Sequence, residues 1–114
     1  CFIEEPVDQF PLTEIGPQIE NHPIFPNKVN FEIVNIIDGS EMKMRVWERG
    51  SGITLACGTG ACAVAVAARL KGLIGTESTI HLPGGPLHIS WDPPGNVFMT
   101  GPAEQSFTGE IKLR

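Results

Sequence analysis

No stretch of this chain approaches the roughly 20 uncharged apolar residues that a membrane-crossing helix needs, so no membrane span is expected. Basic residues are scarce as well. There are 8 Lys and Arg against 13 Asp and Glu, a formal net charge of −5, and the few cations are spread out. Nucleic acid as a partner is therefore disfavoured, because phosphate binding needs a basic patch. Cysteine is sparse and odd in number, with 3 in the chain. That count suits a reducing, cytoplasmic compartment better than a disulfide framework. The opening residues show no basic segment ahead of an apolar core, so no secretory leader is expected. Internal repeats, linkers and low-complexity tracts are absent.

What is present fits one domain of 114 residues, with 41% hydrophobic and 18% charged residues, an ordinary globular balance. Its organising stretch runs from Glu48-Arg49-Gly50 to Ala56-Cys57-Gly58-Thr59-Gly60-Ala61-Cys62-Ala63. From Gly60 to Leu70 almost every residue is Ala, Val, Cys or Gly, and the first charge is Arg69. A helix without a polar face reads as buried. Thr59 is the expected N-cap. Arg69 and Lys71 near the far end and Gly72 just beyond suit the negative pole and a left-handed cap.

The first amides of such a helix lack internal partners and point outward, which makes an anion site for a carboxylate or phosphate. Gly58 and Gly60 leave room for a ligand to reach them. A thiol at the same place is expected to be pulled towards thiolate, its reactive form. Cys57 thus reads either as a base or nucleophile beside an anion cradle, or as a small core residue.

Elsewhere the pattern is that of an α+β domain. Phe2-Ile3 is a short strand. Leu12, Ile15 and Ile19 mark a short helix within Pro11–His22, with Pro17 expected to open its main run. Phe31–Ile37, the turn Asp38-Gly39-Ser40 and Met42–Glu48 form a hairpin. On its return strand Met42, Met44, Val46 and Glu48 share one face. Glu48 ends an apolar row, where a carboxylate needs a partner or a task, unless the strand already turns into solvent there. Strands are further expected at Ser78–Leu82, Leu87–Trp91, Val97–Thr100 and Ser106–Leu113. The fold class is α+β, mostly antiparallel sheet wrapped around a central buried helix.

Other chemistries fit poorly. Cys57 and Cys62 have no further ligand for zinc, and no metal site is expected; Cys62 and Cys1 read as packing residues. A Cys-x5-Arg phosphatase loop would need arginine where Ala63 stands. His22, His81 and His88 give no evident dyad with Cys57; His81 and His88 read as a cross-strand surface pair. Arg49 could pair with Glu48 at the surface or hold a substrate carboxylate, and Asn30 could be an ordinary turn amide.

The segment from Glu48-Arg49-Gly50 through Cys57-Gly58-Thr59-Gly60-Ala61-Cys62-Ala63 resembles the second active-site segment of the diaminopimelate epimerases. These belong to a wider cofactor-independent group with proline racemase and the phenazine-biosynthesis isomerases. Phe25-Pro26-Asn27-Lys28-Val29-Asn30, Leu82-Pro83-Gly84-Gly85 and Met99-Thr100-Gly101-Pro102-Ala103 agree. The resemblance implies a single C-terminal lobe, residues 1–114, of a two-lobed enzyme. It implies epimerisation of L,L- and meso-diaminopimelate by two cysteines, without a cofactor. Cys57 and Glu48 would be catalytic, and Asn30, Arg49, Gly58 and Thr59 substrate-binding. The second cysteine would lie in an N-terminal lobe absent from this chain, which alone should not catalyse. A small amino acid is the expected substrate and a second copy a candidate partner. The alternatives are a racemase of the same fold acting on another amino acid, or a non-catalytic assembly module.

Overall fold

The computed structural model describes residues 1–114. Helix α1 covers Leu12–Glu20, followed by β1 (Phe31–Ile36), β2 (Glu41–Glu48), β3 (Gly52–Ile53), α2 (Gly58–Leu70), β4 (Glu77–Leu82), β5 (Gly85–Ser90) and β6 (Phe98–Thr100). The sheet has six strands in the order β1-β2-β4-β5-β6, with β3 paired to the far end of β2. All neighbours are antiparallel except β2 and β4, which run parallel. The sheet is thus mixed. That follows from connectivity, since β2 and β4 are joined by a crossover through α2 rather than by a tight turn.

The hairpin forms as its pattern predicts. Asp38 Oδ1 accepts from the Ser40 amide at 2.8 Å, the Ser40 hydroxyl at 3.0 Å and the Glu41 amide at 2.9 Å. This local closure sets the register Ile36 to Met42 through Phe31 to Trp47. Met42, Met44 and Val46 are buried along one face of β2. Ala61, Val64, Ala65 and Ala68 of α2 pack into the same cluster with Val34, Ile80 and Ile89. The other face of the sheet carries a smaller cluster of Val7, Leu12 and Ile33, onto which Phe31 and Trp47 pack.

Several expectations are corrected. Helix α1 contains Pro17 instead of starting at it. The carbonyl that Pro17 leaves unpaired belongs to Thr13, an exposed residue, so water can satisfy it. Helix α2 is buried on its sheet face only; Ala63, Ala67 and Leu70 are exposed, Leu70 at 72%. Its far end closes as expected, with Gly72 at φ +71°, its amide on Arg69 and the Leu73 amide on Ala68. No strand forms at Ser106–Leu113; residues 101–114 hold no regular structure. His88 pairs with Thr79 and His81 with Pro86, while the His81 ring meets Glu41 Oε2 at 3.0 Å. Cys1 is exposed; it pairs alongside β1 through the Phe2–Val34 bridge. Cys62 is half-buried against the main core.

Candidate functional site

The loop between β3 and α2 delivers Cys57 to the mouth of the helix. The tight turn between β4 and β5 holds that loop, with the Gly84 amide donating to the Leu55 carbonyl at 2.7 Å. A β-carbon at Gly84 would meet the same oxygen at 2.9 Å, so only glycine seats there without displacement. From the other side β6 brings the Met99 thioether to Gly58, 3.0 Å from where a β-carbon would stand. Residues from distant parts of the sequence therefore converge on one helix end.

The N-cap is Cys57 itself, not Thr59. Cys57 has extended backbone geometry, and its sulfur accepts from the Gly60 amide at 3.3 Å. Thr59 is exposed, with its hydroxyl 3.6 Å from Cys57 Sγ. The amides of Gly58 and Thr59 donate to no group of the protein. Two free helix-terminal donors thus flank the thiol, an arrangement that favours an anion.

The thiol responds against the simple dipole expectation. Cys57 is 8% exposed, and burial, with the Glu48 carboxylate nearby, pushes its pKa above the usual 9.0. Thr59 and Gly60 pull the other way and do not prevail. Desolvation and a neighbouring carboxylate outweigh the helix end, so Cys57 is held as a thiol.

Glu48 lies at the end of β2, half-buried, on the face shared with Met44 and Val46. Arg49 makes no ion pair with it. The Arg49 amide donates to Asn30 Oδ1 at 2.8 Å and its guanidinium to the Asn27 carbonyl at 3.2 Å. Asn30 thus braces the backbone of the Glu48-Arg49 corner from the segment before β1. The structure brings Cys57, Glu48, Gly58 and Thr59 together and ties Asn30 and Arg49 to each other next to them.

Two acids escaped the sequence reading. Glu32 of β1 faces the first turn of α2: a β-carbon at Gly60 would stand 2.7 Å from Glu32 Oε1 and 3.1 Å from Cys57 Sγ. Burial raises the Glu32 carboxyl above its usual value, with Glu48 adding to the shift. Alternation places Glu32 and Val34 on one face of β1, which was the signal available. Glu20 of α1 is buried and accepts from the Trp47 indole at 2.7 Å and the Gly50 amide at 2.9 Å. These bonds hold its carboxyl below the usual range. Nothing in the helical pattern marked Glu20 as a buried partner of a residue 27 positions away.

A groove of about 530 Å³ lies elsewhere, lined by Phe2, Ile3, Glu4, Asn35, Ile36 and Leu73. It does not adjoin Cys57. No group of three or more His, Cys, Asp or Glu is placed to hold a metal ion, and no helix is long and apolar enough to cross a membrane.

The diaminopimelate epimerase family profile matches residues 1–106. The chain is 54% identical over 98% of its length to the diaminopimelate epimerase of Synechococcus elongatus, covering 40% of that protein. It is 57% identical over 93% of its length to that of Leptospira biflexa, covering 38% of it, and 56% identical over 96% to that of Methanococcus maripaludis, covering 40%. The chain thus spans about two-fifths of the relatives it matches. A Bacillus anthracis phenazine biosynthesis protein of the PhzF family shares the fold, with TM-score 0.57 and 22% identity over 82% of this chain and 31% of its own. With a profile match across nearly all its residues and relatives above half identity, the chain belongs to the diaminopimelate epimerase family.

Proposed function

We propose that this chain is one lobe of an enzyme that interconverts L,L- and meso-diaminopimelate, and that Cys57 is one of its two acid–base groups. The observation that carries the reading is the mouth of α2. There a thiol, a carboxylate and two unpaired amides meet within one helical turn.

The chemistry runs as follows. The α-carboxylate of an amino acid takes the Gly58 and Thr59 amides, and the α-ammonium takes Glu48. That ammonium offsets the negative charge that had favoured S–H, so the thiolate becomes accessible when substrate is in place. Cys57 then removes or returns the α-hydrogen on one face of the carbon. Charge developing on the carboxylate is met by the helix amides, in a site closed to water. A second group on the opposite face is needed, because a single base returns the proton to the side it came from. That group is the second cysteine of a partner lobe. The exposed apolar residues Ala63, Ala67 and Leu70 of α2 support a lobe that packs against further protein. Arg49, braced by Asn30, and Asn30 itself would address the distal amino acid end of the substrate. The isolated chain is expected to be inactive, and the site needs no cofactor.

The test is Cys57→Ala in the complete two-lobed enzyme, run beside wild type in deuterated water. Wild type should place deuterium at the α-carbon of product. The variant should lose at least about 10³-fold in turnover, as loss of a positioned acid–base group does. Glu48→Gln should lower turnover by about 10²-fold, with the folding midpoint nearly unchanged. Retained turnover in Cys57→Ala would sink the assignment, and unlabelled product would sink the proton-transfer mechanism.

A further inference from the structure

The dipeptide Glu48-Arg49 is gripped from both sides by a residue far from it in sequence. Trp47 precedes Glu48 and Gly50 follows Arg49; the Glu20 carboxylate accepts from the Trp47 indole at 2.7 Å and from the Gly50 amide at 2.9 Å. Glu20 is buried and both bonds are charge-assisted, the stronger kind. Neither end of the dipeptide can swing without breaking one of them.

The Trp47 ring has no freedom of its own. A β-carbon at Gly16 of α1 would lie 2.5 Å from ring atoms Cγ and Cδ2, and one at Gly52 of β3 would lie 3.4 Å from Cη2. The indole is thus wedged between α1 and β3, with Glu20 capping its N–H. Gly50, at φ +78°, takes the left-handed turn that sends its amide back to α1. Sequence alternation puts Trp47 and Glu48 on opposite faces of β2. A fixed Trp47 therefore fixes the direction in which Glu48 points, towards Cys57.

We infer that Glu20 is a positioning residue for Glu48: it clamps the strand end from the α1 side so that Glu48 faces the Cys57 thiol. This rests on the reading of Glu48 and Cys57 as acting partners. The groups that face the thiol are Glu48 from β2, Thr59 and the Gly60 amide from α2, and Glu32 from β1 across Gly60; Met99 from β6 brings no charge. Glu20 touches none of them directly and acts through the backbone it holds.

The test reads Cys57 alone, in the complete two-lobed enzyme. Alkylation by iodoacetamide is followed at the Cys57 peptide by mass spectrometry between pH 6 and pH 10, in wild type, Glu20→Gln, Trp47→Phe, Glu48→Gln and the Glu20→Gln/Glu48→Gln double variant. Glu48→Gln removes a carboxylate that favours S–H, so alkylation near neutral pH should rise by about threefold or more. Glu20→Gln and Trp47→Phe should move the profile in the same direction by a smaller factor. The double variant should go no further than Glu48→Gln alone, because Glu20 acts only through Glu48. Glu20→Gln and Glu48→Gln nearly conserve shape, which keeps the Trp47 ring in its slot. A shift with Glu48→Gln but none with Glu20→Gln and Trp47→Phe, or a double variant showing the product of both factors, would overturn the role of Glu20 alone. No shift with Glu48→Gln would overturn the underlying pairing of Glu48 with Cys57.

Discussion

The two faces of β2 are built on different principles. Towards α2, Met42, Met44 and Val46 are buried in an apolar cluster that ends at Glu48. Towards the N-terminal segment and α1, every second side chain is polar and reaches a partner. Lys43 pairs with Asp8, Arg45 donates to the Val7 carbonyl at 2.9 Å, and Trp47 donates to Glu20. One face provides dry packing and leaves its carboxylates, Glu48 and Glu32, without a cationic side chain. The other is a frame of directed bonds that fixes where the strand lies. The acids show the difference. Glu20, doubly hydrogen-bonded, is held below the usual carboxylate range, whereas Glu32, desolvated beside Glu48, is pushed above it. The proposed role of Cys57 would gain from a face where charge is scarce and unscreened, provided the opposite face supplies rigidity.

The comparison can be broken from either side. Met44→Ala on the dry face should cost about 2–5 kcal/mol, since a fully buried side chain leaves a cavity behind; denaturant midpoints at constant slope would measure it. A loss below about 1 kcal/mol would mean that this face is less tightly packed than described. Gly16→Ala on the frame should cost about 1–3 kcal/mol, because its β-carbon would meet the Trp47 ring at 2.5 Å. Indole fluorescence of Trp47, in a Trp91→Phe background, should change with it.

Acid should act on the two faces with opposite signs. Glu20 is lowered from a usual value of 4.5 and Asp38 from 3.8. Their contribution is complete above those values and lost as pH falls through the lower folded ones. Glu32 is raised, so its uptake of a proton in mild acid favours the fold. Stability should therefore hold or rise slightly on mild acidification and fall only below the usual carboxylate range. Glu32→Gln should abolish the early gain and Glu20→Gln should blunt the later loss; a monotonic fall from neutral pH would contradict the Glu32 assignment, and an undiminished acid loss in Glu20→Gln the Glu20 one. Smallest of all, Lys43→Ala should cost no more than about 0.5–1 kcal/mol, because its ion pair with Asp8 is exposed to solvent.

Much of this arrangement was legible in the residues. The alternation in Met42–Glu48, the Asp38-Gly39-Ser40 turn and the run of small residues after Gly60 are local signals, set by side-chain period and backbone preference. They located two strands, a turn and the cysteine at the mouth of α2. The burial of α2 was only half right, because an apolar sequence says that a helix seeks cover without saying how much its neighbours provide. The strand expected at Ser106–Leu113 had a strand-like composition but does not form, and residues 101–114 hold no regular structure. The N-cap went to Cys57 rather than Thr59 because a sulfur at the preceding turn reaches the Gly60 amide first.

By itself the sequence determined where the residues proposed to carry the chemistry lie and what local shape holds them: thiol, glycines and apolar helix lie within a single stretch, so chain connectivity alone joins them. Only the tertiary structure decided the state and aim of those groups. Burial, Glu48 and the clamp from Glu20 reach Cys57 through space from other elements. Desolvation and hydrogen-bond geometry depend on what surrounds a group, and no local sequence pattern encodes that.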